Sequence, residues 1–98
     1  MSKIQTKIIK TLEKQGYLTL KTIRLNKNGF PDVFGMKTNK KNIWIECKEE
    51  KDTLKPMQKL RIDELNQVGN IAFCYQDKKG IIYPETYKVY TLEEIFNI

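Results

Sequence analysis

Asp32, Glu46 and Lys48 are the residues of this 98-residue chain whose types and spacing can carry out chemistry together. Glu46 and Lys48 stand two apart in a strand-like run, 42–48, so their side chains share a face while Cys47 points the other way. Asp32 begins the preceding strand of the same hairpin, fourteen residues earlier, where its carboxylate can meet that of Glu46. Two carboxylates beside an ammonium make a hard, oxygen-rich site suited to Mg²⁺ or Mn²⁺. Such an ion would polarise a phosphate and lower the pKa of a water. Lys48 would hold or deprotonate that water and offset developing negative charge.

An aspartate, a gap and Glu-x-Lys can also arise in any charged hairpin, where a surface salt bridge is the ordinary reading. Three neighbours strengthen the chemical one. Gly29 and Pro31 set a stiff turn that presents Asp32. Ile43-Trp44-Ile45 makes the second strand a core element, with Ile43, Ile45 and Cys47 on its buried side. Gln58 falls in the first turn of the next helix, ten residues beyond Lys48. The chain has no histidine and its one serine is Ser2, which excludes imidazole chemistry and a Ser-His-Asp hydrolase. Cys47 and Cys74 lie in apolar, strand-like segments without metal-ligand spacing and read as reduced buried thiols in a reducing cytoplasm. No apolar run approaches a membrane span or a secretory signal, so a cytoplasmic protein is expected, in the host cell if it is viral.

The elements that must position these residues can be read along the chain. Ile4, Ile8, Ile9 and Leu12 recur at helical spacing from Lys3 to about Lys14, with Lys3, Lys7, Lys10 and Lys14 in a stripe opposite. Gln5 falls inside the apolar arc. It is either a satisfied core glutamine or one turned toward a polar site, and the second is slightly favoured. Gly16 ends the helix, and residues 17–25 alternate as a strand. Residues 33–36 and 42–48 are two more strands, completing a meander. Residues 49–55 are a charged loop. Pro56 opens a helix to about Val68, with Met57, Leu60, Leu65 and Val68 expected on one side. The near-continuous apolar run 71–75 suggests a buried strand beside a parallel neighbour. A strand at 81–83 follows, and Thr91-Leu-Glu-Glu94 is a capping box for a short final helix. The order α-β-β-β-α-β, with a small β/α tail, implies an α/β layer fold in one domain over 1–98, its core about 4–75 and its tail 76–98. The aromatics Tyr83, Tyr87, Tyr90 and Phe96 are expected as ordinary tail core, with a subunit interface as the alternative.

Charge is unevenly placed. The chain carries a net +6, and residues 1–31 hold seven basic side chains against Glu13 alone, while the remainder is balanced. This points to a polyanion such as nucleic acid. The lysine stripe fits the phosphate backbone of a second duplex arm, and equally a solvated face with no partner.

Gly29-Phe-Pro-Asp32, Ile45-Glu-Cys-Lys48 and Pro56-Met-Gln58 resemble the VRR-NUC (virus-type replication-repair nuclease) family of the PD-(D/E)XK superfamily, over about residues 4–75. The resemblance implies a restriction-endonuclease-like mixed sheet flanked by helices. It implies a metal-dependent DNA endonuclease in which Asp32, Glu46 and the main-chain carbonyl of Cys47 hold Mg²⁺ or Mn²⁺. Lys48 would be the catalytic lysine, and Gln58 would orient water or phosphate. Stand-alone members resemble Holliday-junction resolvases, which implies a homodimer acting on branched DNA in recombination or repair. Two departures stand out. The family's first-helix glutamate falls at Met1, leaving Gln5 as a possible second-sphere residue, and Lys55 replaces a small helix-capping serine. A nuclease fold that binds branched or single-stranded nucleic acid without cutting is the alternative. A small interaction protein whose charges merely solvate it is a third.

Overall fold

The computed structural model describes residues 2–23 and 25–98; the expected glutamate position at Met1 lies outside them. Helix α1 (Lys3–Lys14) is capped by Ser2, whose hydroxyl accepts the Gln5 amide N–H at 3.1 Å. It buries Ile4, Ile8 and Leu12, the apolar arc read from the sequence. The chain then forms β1 (Leu18–Lys21), β2 (Val33–Met36) and β3 (Ile43–Lys48), crosses through α2 (Pro56–Gln67), and continues as β4 (Ile71–Gln76) and β5 (Gly80–Tyr83). Two short helices, α3 (Glu85–Lys88) and α4 (Leu92–Phe96), close it. Of the strand expected over 17–25, the described residues form Leu18–Lys21, while Arg24 lies outside them, and α3 was not legible in the sequence.

The strands make one mixed sheet in the order β1-β2-β3-β4-β5. All neighbours are antiparallel except β3 and β4, which run parallel and are joined by the α2 crossover. The apolar run of β4 has the central, doubly covered place that such composition requires. Alternation then sorts β3. Ile43, Ile45 and Cys47 join α1, α4, Phe73 and Ile81 in the larger core, while Trp44 faces the smaller core beneath α2. The tail belongs to this packing. Leu92, Ile95 and Phe96 are buried in the larger core, Tyr87 packs against it, and Tyr83 packs against the smaller one.

Helix α2 is rotated from its expected setting. Its buried residues are Ile62 and Leu65, whereas Met57, Leu60 and Val68 are exposed. Polar anchors decide this. The Asn66 amide donates to the Ala72 carbonyl and accepts the Ala72 N–H, both at 2.9 Å. Pairing with β5 begins only at Cys74, so Asn66 stands in for the missing strand neighbour. Arg61 donates to the Asn28 carbonyl at 2.9 Å. The two contacts aim the 61–62–65–66 stripe at the sheet. Ile62→Ala is therefore expected to cost about 2–5 kcal/mol in urea unfolding, whereas Val68→Ala should stay within about 0.5 kcal/mol; the reverse order would contradict this setting of the helix.

Candidate active site

The site forms where β3 ends, on the α2 side of the sheet. In the β2–β3 ladder Val33 pairs with Ile45 and Phe34 with Trp44, and continuing that register sets Asp32 across from Glu46. Asp32 Oδ2 accepts the Cys47 N–H at 3.1 Å, which fixes the aspartate against β3. Its approach is held from three directions. Thr22 donates its N–H to the Asp32 carbonyl at 2.9 Å and its hydroxyl to the Pro31 carbonyl. Arg61 lies over the Phe30 ring, 5.4 Å from its centre. Gly29, at φ +85°, lies so close to α2 that a Cβ there would stand 2.8 Å from the Met57 carbonyl oxygen. Only glycine satisfies both the backbone conformation and the space.

Glu46 and Lys48 are both buried, at 3% and 5% exposure. The Lys48 ammonium lies 3.8 Å from Glu46 Oε2 and 3.5 Å from Asp52 Oδ2. Gln58 completes the group. Its Oε1 accepts the Lys55 N–H at 2.9 Å, so its Nε2 is turned toward Glu46 Oε2 at 3.5 Å. An amide oriented in this way presents only its donor to the carboxylate. At position 55 the lysine side chain offers the helix no acceptor; the cap therefore has only the arm supplied by Gln58.

As a carboxylate, Glu46 leaves Oε1 buried without a hydrogen-bond partner. Burial, then the charge of Asp32 and a hydrogen bond shared with it, push the Glu46 carboxyl up to about 8; Lys48 pulls the other way and Asp52 adds a smaller rise. An unsatisfied buried anion beside a second carboxylate is what a bound cation or a retained proton would relieve. Asp32 and Glu46 thus fit a divalent ion by charge, donor type and the open oxygen. Among the described residues no group of three carboxylate, cysteine or histidine side chains is placed to hold a metal. Cys47 adds no thiolate, because burial first, then Asp32 and Glu46, raise its thiol far above the usual range.

The remaining sequence candidates lie elsewhere. Gln5 is half-buried on α1, and no side-chain hydrogen bond joins it to Asp32, Glu46, Lys48 or Gln58. Lys3, Lys7, Lys10 and Lys14 line one shallow groove with Thr6 and Thr11, and the Lys7 ammonium stands 6.0 Å from the centre of the Tyr75 ring. Because α1 packs on the Cys47 side of β3, the stripe and the acidic pair occupy opposite faces of the sheet. Asp52 was not singled out in the sequence, since it sits in a loop dense with acids and lysines.

The mixed sheet and its flanking helices are those of the PD-(D/E)XK nuclease fold, and the acidic pair and lysine lie at the end of its parallel strands. The chain belongs to the VRR-NUC domain family, whose profile matches residues 1–76. Its fold is similar to that of Hjc, a Holliday junction resolvase from the archaeal hyperthermophile Archaeoglobus fulgidus, with a TM-score of 0.64 at 13% identity over 96% of this chain and 93% of that one. No curated protein matches the sequence. No helix among the described residues is long and apolar enough to cross a membrane.

The Glu46 carboxyl gives the metal-free protein a pH signature. Its folded value is raised above the ordinary 4.5, so the stability it contributes is fully present below 4.5 and is lost as pH rises through about 8. Unfolding free energy should fall across that window with a slope of up to about 1.4 kcal/mol per pH unit. Glu46→Gln should remove this slope; an unchanged slope would place the titration elsewhere.

Proposed function

We propose that this nuclease is a divalent-metal-dependent endonuclease that cuts branched DNA in the manner of a Holliday-junction resolvase. One observation carries the reading: the buried, unpartnered Glu46 Oε1, set beside Asp32 and within reach of Lys48. Asp32 and Glu46, with the main-chain carbonyl of Cys47, would hold Mg²⁺ or Mn²⁺. When bound, such an ion supplies Lewis-acid polarisation of the phosphodiester and makes water acidic enough to attack at neutral pH. Glu46, whose carboxyl is raised to about 8, would release its proton in order to hold the ion. Lys48, buried beside Glu46, orients the attacking water and offsets negative charge on the phosphorus-bound oxygens. Gln58, its acceptor occupied by Lys55, offers an N–H to Glu46 or to a phosphate oxygen. The α1 lysines, on the other face of the sheet, would follow the backbone of a second arm without reading sequence.

A homodimer is part of this reading, since symmetric cutting of a junction needs two sites. The structure supports a particular surface for it. Phe96 and Tyr87 are engaged in the core, whereas Leu18 and Leu20 are exposed on β1, beside half-buried Phe34 and Met36, on the α2 side of the sheet but beyond the strands that α2 covers. Sedimentation is expected to give a dimer that Leu18→Lys with Leu20→Lys converts to monomer. A wild-type monomer at micromolar concentration would remove the dimer from the account.

Binding without cutting is the second reading, favoured by the absence of a third acidic ligand among the described residues. Cleavage separates the two. The full chain with Mg²⁺ or Mn²⁺ is expected to nick a four-way junction, and Asp32→Ala should reduce the rate by about 10³-fold or more while the protein stays folded. Lys48→Ala should bind the junction and fail to cut it. Binding should weaken steeply with salt, and replacing Lys3, Lys7, Lys10 and Lys14 by Gln should lower affinity more than turnover. Salt-sensitive binding with no cutting in either metal would support the second reading. Cutting unaffected by Asp32→Ala would overturn the site.

A further inference from the structure

Gln76 ends β4 directly across the parallel ladder from Lys48. It is a buried polar side chain, 4% exposed, and the nuclease reading gives it no role. Its Nε2 lies 3.0 Å from the Glu49 carbonyl, 3.1 Å from that of Glu50 and 2.8 Å from that of Asp52. Three acceptors converging on one amide nitrogen require an NH₂ donor; a carboxylate of the same shape would repel all three. The other ties within 49–52 are slighter: the Asp52 N–H donates to the Glu49 carbonyl at 3.1 Å, and Lys78 pairs with Glu50 at 3.4 Å on the surface. Gln76 therefore shapes this loop from beneath.

The loop so gathered carries Asp52. One of its oxygens, Oδ1, accepts the Thr53 N–H at 2.7 Å, and the other, Oδ2, faces the Lys48 ammonium at 3.5 Å. Lys48 thus stands between two carboxyl groups, with Glu46 Oε2 slightly farther away at 3.8 Å. A direct ammonium–carboxylate hydrogen bond would close to about 2.8 Å. A buried ammonium with one anionic neighbour has every reason to close that gap. With a carboxyl group on each side, the Lys48 ammonium closes on neither, and Glu46 is left open.

We propose that Gln76 is a positioning residue for Lys48, acting through Asp52: by gathering the carbonyls of Glu49, Glu50 and Asp52 it holds the Asp52 carboxylate where it keeps the Lys48 ammonium from collapsing onto Glu46. The inference rests on the reading of Lys48 and Glu46 as the working residues of the nuclease site. It adds two residues to that site, neither of which touches substrate in this role.

The test is a double-mutant cycle on the full chain with Gln76→Met, Asp52→Asn and both together. In metal-free protein, Gln76→Met should speed hydrogen exchange of the Asp52 and Thr53 amides by about tenfold or more. In single-turnover cutting of saturating four-way junction, each single variant should be slower by about tenfold, with junction affinity within about twofold of wild type. The double variant should be no slower than the slower single one, because Gln76 acts only through Asp52. A merely structural glutamine would instead give losses that multiply, and that result overturns the proposal. If Gln76→Met does not fold, Asp52→Asn, at a half-exposed position, carries the test: an undiminished rate there beside an inactive Asp32→Ala overturns this inference alone. Equal cutting by Asp32→Ala and wild type would overturn the site reading itself.

Discussion

The parallel pairing of β3 with β4 is the constraint on which the rest of the structure depends, because a parallel neighbour forces a crossover and ends both strands at the same edge. The crossover is α2, and its first turn returns over the end of β3, which puts Gln58 beside Glu46. The shared edge places Lys48 across from Gln76 and opens the loop 49–55 at that point. An antiparallel β4 would have left the carboxyl end of β3 next to a strand start, with no helix N-terminus above it.

Burial at that edge is costly and is offset unevenly. Glu46 and Lys48 are taken out of water in a sheet whose other buried side chains, Gln76 apart, are apolar. Each keeps partners at distances longer than a close ion pair, and one Glu46 oxygen keeps none. A protein selected for stability alone would replace such a pair with well-packed apolar side chains. On the proposed reading, the retained, under-satisfied groups mark a place where stability is given up for chemistry, and the raised Glu46 carboxyl is the form that concession takes.

The support around the pair is largely polar. Asn66 completes the open edge of β4, Arg61 and Gly29 fasten the Asp32 turn to α2, and the three Gln76 hydrogen bonds fasten the loop after Lys48. These contacts fix the same helix and loops that carry the site, so the geometry of the acidic pair and the setting of α2 are not independent. Their directionality explains why a helix of weak amphipathic character nonetheless has one defined orientation.

The sequence by itself determined the element order apart from α3, the apolar face of α1, the alternation of β3 and the ordered set Gly29–Asp32, Glu46, Lys48 and Gln58. These follow from local rules: strand alternation, helical spacing and the stiffness of a Gly-x-Pro turn act within a few residues. It also suggested a parallel neighbour for β4 from its composition. Tertiary structure decided the rest. The buried face of α2 was misread because Asn66 and Arg61 count as outward residues by hydrophobicity, although their hydrogen bonds orient the helix inward. Gln76 and Asp52 carry no local signal at all: the partners of Gln76 lie more than twenty residues away in the chain, and only the strand register brings them together. The raised carboxyl of Glu46 and its unpartnered oxygen likewise exist only once the chain has folded and excluded water.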